Sequence, residues 1–114
     1  MLILSRFYPS TGLEEMNYKL KFHPDALKDL QELDHRVKLL VLKQINKLST
    51  KPELGQSLGQ KHGIDLSGYK KLYADKKRIR IIYKTIHDMV LIKILVIGKR
   101  EGLKVYKKAG DRDG

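Results

Sequence analysis

Hydrophobic positions recur along this chain in three successive rhythms: every second residue, then three and four residues apart, then every second residue again. Over residues 17–23, Tyr18, Leu20 and Phe22 alternate with Lys19, Lys21 and His23, the rhythm of a strand with one covered face. Pro24 follows where the first turn of a helix tolerates a missing N–H, and Asp25 and Asp29 suit its positive start. Ala26, Leu27, Leu30 and Leu33 form the apolar stripe of that helix. Asp34 predicts the N-cap of a second helix, whose stripe of Val37, Leu40, Val41, Ile45 and Leu48 runs until Ser49, Thr50 and Pro52. The two make a helical hairpin. Lys28, Arg36, Lys38, Lys43 and Lys47 on its outer faces read most simply as solvating charges.

Residues 51–67 hold Gly55, Gly59 and Gly63 with few β-branched side chains and read as a loop. No Gly-Lys-Ser/Thr follows these glycines, so they do not form a nucleotide phosphate loop. Alternation returns over residues 69–74, with Tyr69, Lys71 and Tyr73 on one face and Lys70 and Leu72 on the other. Asp75, Lys76 and Lys77 turn the chain. Residues 78–86 then place Arg78, Arg80 and Ile82 on one face and Ile79, Ile81 and Tyr83 on the other. His87 and Asp88 make a second turn, and residues 89–97 are apolar except for Lys93, which predicts a strand covered on both faces. The expected fold is α+β: an N-terminal strand and a two-helix hairpin packed on a mainly antiparallel sheet of about four strands. A short turn or helix should follow Gly98.

One domain is expected, spanning 16–108. Residues 109–114 read as a polar, frayed tail. Residues 1–15 read as a leader, broken by Arg6 and Pro9 and too short for a membrane span, with Met16 able to serve as a second start. At 114 residues and 41% hydrophobic content there is room for a single core.

Charge sharpens this picture. Against 13 acidic residues stand 24 Lys and Arg, a net charge of +11, which points to polyanions, acidic proteins or anionic membrane as partners. With no cysteine there is no disulfide framework and no thiolate metal site, which suits the cytoplasm. His23, His35, His62 and His87 lack the spacing of metal ligands, so no metal is expected. The arginines of residues 78–83 are the anomaly, because an unpaired guanidinium on a core strand is costly. Either a carboxylate such as Asp75 or Glu101 meets Arg80, or that face is open to an anionic ligand.

Four pieces in order carry a resemblance: Gly68-Tyr-Lys-Lys-Leu-Tyr73, Arg80-Ile-Ile-Tyr83, Ile97-Gly-Lys-Arg100 and Val105-Tyr106. Together they resemble the signature of the RelE toxins of bacterial and archaeal toxin-antitoxin pairs, over about residues 17–108. The resemblance implies a ribosome-dependent mRNA endoribonuclease needing neither metal nor cofactor, acting in the ribosomal A site and silenced in a hetero-oligomer by an acidic antitoxin. In that family the 2'-hydroxyl of the RNA attacks the adjacent phosphate. By the same resemblance the catalytic candidates are Lys71, Arg80, Arg100 and Tyr106. Lys70, Tyr73, Lys76, Lys77, Arg78 and Lys99 are candidates for holding RNA. Tyr73 departs from the family pattern, since an ungapped match places it where several relatives carry a second basic residue.

Plainer readings stand beside these. The lysines flanking the 75–77 turn also suit a solvated edge that discourages strand pairing. Tyr18 and Tyr83 suit the core, Tyr106 could pack on the sheet, and a local hydrogen bond would account for His87. The alternative function is a ParE-like toxin that inhibits DNA gyrase by binding it. A third is an inactive RNA-binding or regulatory relative.

Overall fold

A computed structural model describes residues 17–61, 63–99 and 104–113. The leader, His62, Arg100 and Glu101 lie outside the described residues. The elements run β1 (Lys19–Phe22), α1 (Pro24–Gln31), α2 (His35–Leu48), β2 (Gln56–Lys61), β3 (Ile64–Ala74), β4 (Ile79–Ile86), β5 (Leu91–Lys99) and α3 (Lys104–Asp113), with a 3-10 turn at His87–Met89 before β5. The sheet order is β1-β5-β4-β3-β2; only β1 and β5 run parallel.

Local chemistry starts both helices of the hairpin. The His23 ring nitrogen accepts from the Asp25 amide at the head of α1, where Pro24 occupies the first turn. The Asp34 carboxylate accepts from the Val37 amide at 2.9 Å and caps α2 as expected. The buried stripes of these helices meet Leu72, Ala74, Ile79, Ile81, Tyr83, Ile92 and Ile94 on one face of the sheet. A second, smaller core on the other face joins Tyr106 and Ala109 of α3 to Leu58, Leu66, Tyr69, Ile82, Leu95 and Val96. Between Ile82 and Tyr83 the pairing with β5 slips by one residue, and this bulge turns Leu95 and Val96 together towards α3.

The α+β class and the helical hairpin on a mainly antiparallel sheet are as read from the chain, but the sheet has five strands. Part of the expected loop is β2, which pairs antiparallel with β3 and buries Leu58. Of the three glycines there, Gly59 lies within a strand and Gly55 and Gly63 flank β2. Gly59, at φ +61°, sits where the β2–β3 register slips, and Gly63, at φ +80°, makes the turn between the strands.

Two other expectations change. Residues 109–113 form the second half of α3, with Ala109 fully buried, where a frayed polar tail was expected. Asp75 pairs with Arg36 at 3.2 Å and not with Arg80. The turn it belongs to is unusual: Asp75, Lys76 and Lys77 all have positive φ, at 51°, 55° and 69°. Each left-handed residue costs about 1–2 kcal/mol, and the Arg36 guanidinium on α2 helps hold that turn in place.

Candidate active site

The β3–β4 register decides which side chains share a face. Tyr73 stands opposite Arg80 and Lys71 opposite Ile82, on the face covered by α3, which brings Tyr106 over the sheet. The Arg80 guanidinium carbon lies 4.9 Å from the ring centroid of Tyr106 and 5.7 Å from that of Tyr73. Nζ of Lys71 lies 5.2 Å and Nζ of Lys77 5.9 Å from the Tyr73 ring. One phenol thus has three cations around it.

Arg80 and Tyr106 are each only 5% exposed, while Tyr73 and Lys71 are partly exposed and Lys77 is open to solvent. The arginine is therefore covered, contrary to an open face. It is not neutralised, however: among the described residues no carboxylate pairs with it, and its Nε is buried without a hydrogen-bond partner. A buried, unpaired guanidinium donor is a cost that two aromatic faces offset only in part.

The hydroxyl of Tyr73 is held below the ordinary tyrosine range. A hydrogen bond from Lys71 does most of this, burial works against it, and Arg80 adds to the pull. The backbone beneath is fixed from α2, where the Gln44 amide donates to the Tyr73 carbonyl at 2.7 Å.

The remaining expected site residues divide. Lys76, Lys77, Arg78 and Lys99 line an open groove of about 850 Å³ between the α1–α2 turn and the β3–β4 hairpin, together with Glu32, Asp34 and Asp75. Arg78 precedes β4 and belongs to this groove, beside Ile79, where it was expected on the face of Arg80. Lys70 donates to the Ser57 hydroxyl at 3.0 Å, across to β2. Arg100 lies outside the described residues. His87 bonds to the Tyr18 hydroxyl at 3.0 Å, and no cluster among the described residues could hold a metal ion.

An anchor that the linear pattern does not reveal holds α3 in place. The Asp113 carboxylate accepts from Tyr69 at 2.6 Å, Lys93 at 2.7 Å and Lys84 at 3.1 Å. Asp29 of α1 receives Arg112 at 2.8 Å and the Ile97 amide at 3.1 Å. Burial alone would raise the Asp113 carboxyl, but the bonds from Lys93, Tyr69 and Lys84 outweigh it and hold it well below the usual carboxylate range. The native acid thus binds its proton less readily than the unfolded one, so its contribution is present above about pH 4 and fades as pH falls below that. Asp113→Asn is expected to cost about 2 kcal/mol at pH 7. Denaturant melts at pH 7 and pH 3 check this: the gap should narrow at pH 3, and an equal gap at both would remove the charge from the explanation.

Comparisons with known proteins follow the same lines. A family model described as the ParE toxin of type II toxin-antitoxin system, parDE, matches residues 20–103. An Escherichia coli protein described as a RelE-like toxin is 32% identical over 100 residues, covering 85% of this chain and 98% of its own. An arginine-substituted mutant of E. coli toxin RelE in the free state superposes with a TM-score of 0.70 at 25% identity, over 85% of this chain and 98% of that one. The toxin-antitoxin complex RelBE from Mycobacterium tuberculosis aligns with a TM-score of 0.62 at 23% identity, over 76% and 98%.

Proposed function

Because the chain belongs to the RelE/ParE superfamily of toxins of type II toxin-antitoxin systems, we propose that it inhibits translation as a ribosome-dependent mRNA endoribonuclease. The observation that carries this reading is the cationic cluster of Lys71, Lys77 and Arg80 around Tyr73 and Tyr106 on one face of the sheet, in which no carboxylate among the described residues pairs with Arg80. The nucleophile is the 2'-hydroxyl of the RNA, so the protein has to supply a proton acceptor, positive charge at the pentavalent phosphate and relief for the departing oxygen. No metal or cofactor is required for that division of labour.

Arg80 supplies charge beneath the phosphate, and a two-pronged contact from its guanidinium requires the Tyr106 ring to swing aside. Arg100 acts at the leaving oxygen, Lys71 contributes to the cationic field, and Tyr106, once displaced, stacks on a base. Lys76, Lys77, Arg78 and Lys99 follow the RNA backbone along the adjoining groove, Lys70 holds it further along β3, and that attraction weakens with salt. So few acid-base groups need their substrate aligned for them, which is the part the ribosomal A site plays in the cytoplasm.

The partner we propose is an acidic antitoxin that covers the basic surface in a hetero-oligomer. A RelE mutant from E. coli binds an antitoxin peptide, and the M. tuberculosis relative forms a toxin-antitoxin complex. The net charge of +11 suits such a cover.

Mapping transcript 5' ends after brief expression tests the reading. Cuts inside translated frames are expected, together with little cutting of naked RNA by the purified protein. Intact transcripts with stalled replication would instead identify a gyrase poison.

A further inference from the structure

Tyr73 is the one aromatic hydroxyl of the cluster that is both partly exposed and aimed at cations. Tyr106 is buried behind Arg80, and the phenol of Tyr69 is tied to Asp113 at 2.6 Å. Around Tyr73 stand Lys71 on its own strand, Lys77 from the turn, Arg80 from β4 and, from α2, Gln44 at its carbonyl. Loss of a proton turns a phenol into an anion that every one of these cations attracts. Three cations around one phenol therefore favour its charged form.

We propose that the Tyr73 hydroxyl, as phenolate, is the proton acceptor for the 2'-hydroxyl of the RNA. This rests on the nuclease reading and names the group that reading leaves open. The step balances without a co-reactant: the 2'-oxygen gives its proton to Oη of Tyr73 and bonds to phosphorus. The bond from phosphorus to the 5'-oxygen breaks, and that oxygen takes a proton from water. Tyr73 then releases its proton to solvent. Lys71 and Arg80 serve twice, first by holding the phenolate and then by facing the charge that moves to the phosphate. The depressed proton affinity of Tyr73 accords with this role.

Tyr73→Phe isolates the claim, because it keeps the ring beside Arg80 and any base stacking while removing the oxygen. Single-turnover cutting of message on programmed ribosomes is expected to fall about 100-fold, with loss of the rise in rate with pH that is expected of the wild type as its phenolate forms below the ordinary tyrosine range. In the free protein, tyrosines labelled with carbon-13 at Cζ and followed by NMR should show Tyr73 titrating below Tyr69 and Tyr83, and Lys71→Met should move it upward. Wild-type cutting by Tyr73→Phe, or Tyr73 titrating with the other tyrosines, overturns the proposal and leaves the nuclease reading standing. Message left uncut by the wild type overturns that reading, and the proposal with it.

Discussion

Arg80→Ala is expected to lower single-turnover cutting of ribosome-bound message by roughly 100- to 1,000-fold, the usual consequence of removing one preorganised donor at a developing charge. Burial gives the reason for the size of the effect. The side chain is 5% exposed, lies between the rings of Tyr73 and Tyr106, and has an Nε without a partner. A charge held in such surroundings acts through a medium less screening than water, and no nearby carboxylate among the described residues cancels it. Arg80→Lys keeps the charge but not the planar fork, so it should recover only part of the rate. The fold should survive both changes. Contacts of a cation with aromatic faces are worth about 1–2 kcal/mol, and their loss is offset by no longer burying an unsatisfied donor. Primer extension on programmed ribosomes, paired with thermal melts, separates the two effects; an alanine variant that cuts as fast as the wild type would remove Arg80 from the chemistry.

That arginine was legible in the chain because a guanidinium among β-branched residues breaks the rule a core strand otherwise follows. The caps were legible for a similar reason. Pro24 fixes the backbone of the first turn and Asp34 accepts from an amide three residues on, so their chemistry is local and the helices start where they predict. The strand β2 was not, because only Leu58 among Gln56, Ser57, Gly59 and Gln60 carries a large apolar side chain, and one buried residue makes no rhythm. Nor was α3. Its packing depends on Tyr106 and Ala109 together with Asp113 and Arg112, whose partners are 17 to 87 residues away. The separation of Arg78 from Arg80 followed the same logic, since alternation holds only where a strand has begun and β4 begins at Ile79. In each case the deciding partner is distant, and a linear pattern records neighbours alone.

Among the glycines whose surroundings are described, Gly55 has the greatest expected cost in stability for a single methyl group. A Cβ there would stand 2.5 Å from the Lys71 carbonyl oxygen, 2.7 Å from the Tyr83 hydroxyl and 2.9 Å from its ring. None of these can retreat easily. The carbonyl belongs to the backbone of β3, and Tyr83 is fully buried, with its hydroxyl donating to the Pro52 carbonyl and accepting from the Gly55 amide, both at 2.8 Å. Gly55→Ala thus forces the 52–55 segment away from the sheet, adding overpacking of about 1–3 kcal/mol to a lost hydrogen bond of about 1 kcal/mol. For a chain of this size a loss of roughly 2–4 kcal/mol lowers the melting temperature by about 10 °C or more. Two companions separate the causes. Tyr83→Phe removes the hydroxyl without adding bulk and should cost about 1–2 kcal/mol, whereas Gly59→Ala meets nothing within 4 Å and suffers only from its φ of +61°, at about 1–2 kcal/mol. Calorimetry of the three variants should rank Gly55→Ala as the least stable. Because the displaced carbonyl belongs to Lys71, the same variant should also lose cutting activity while still folded at low temperature. Melting of Gly55→Ala at the wild-type temperature would show that the segment does not lie against β3, and the support it gives to the face carrying Lys71 and Tyr73 would fall with it.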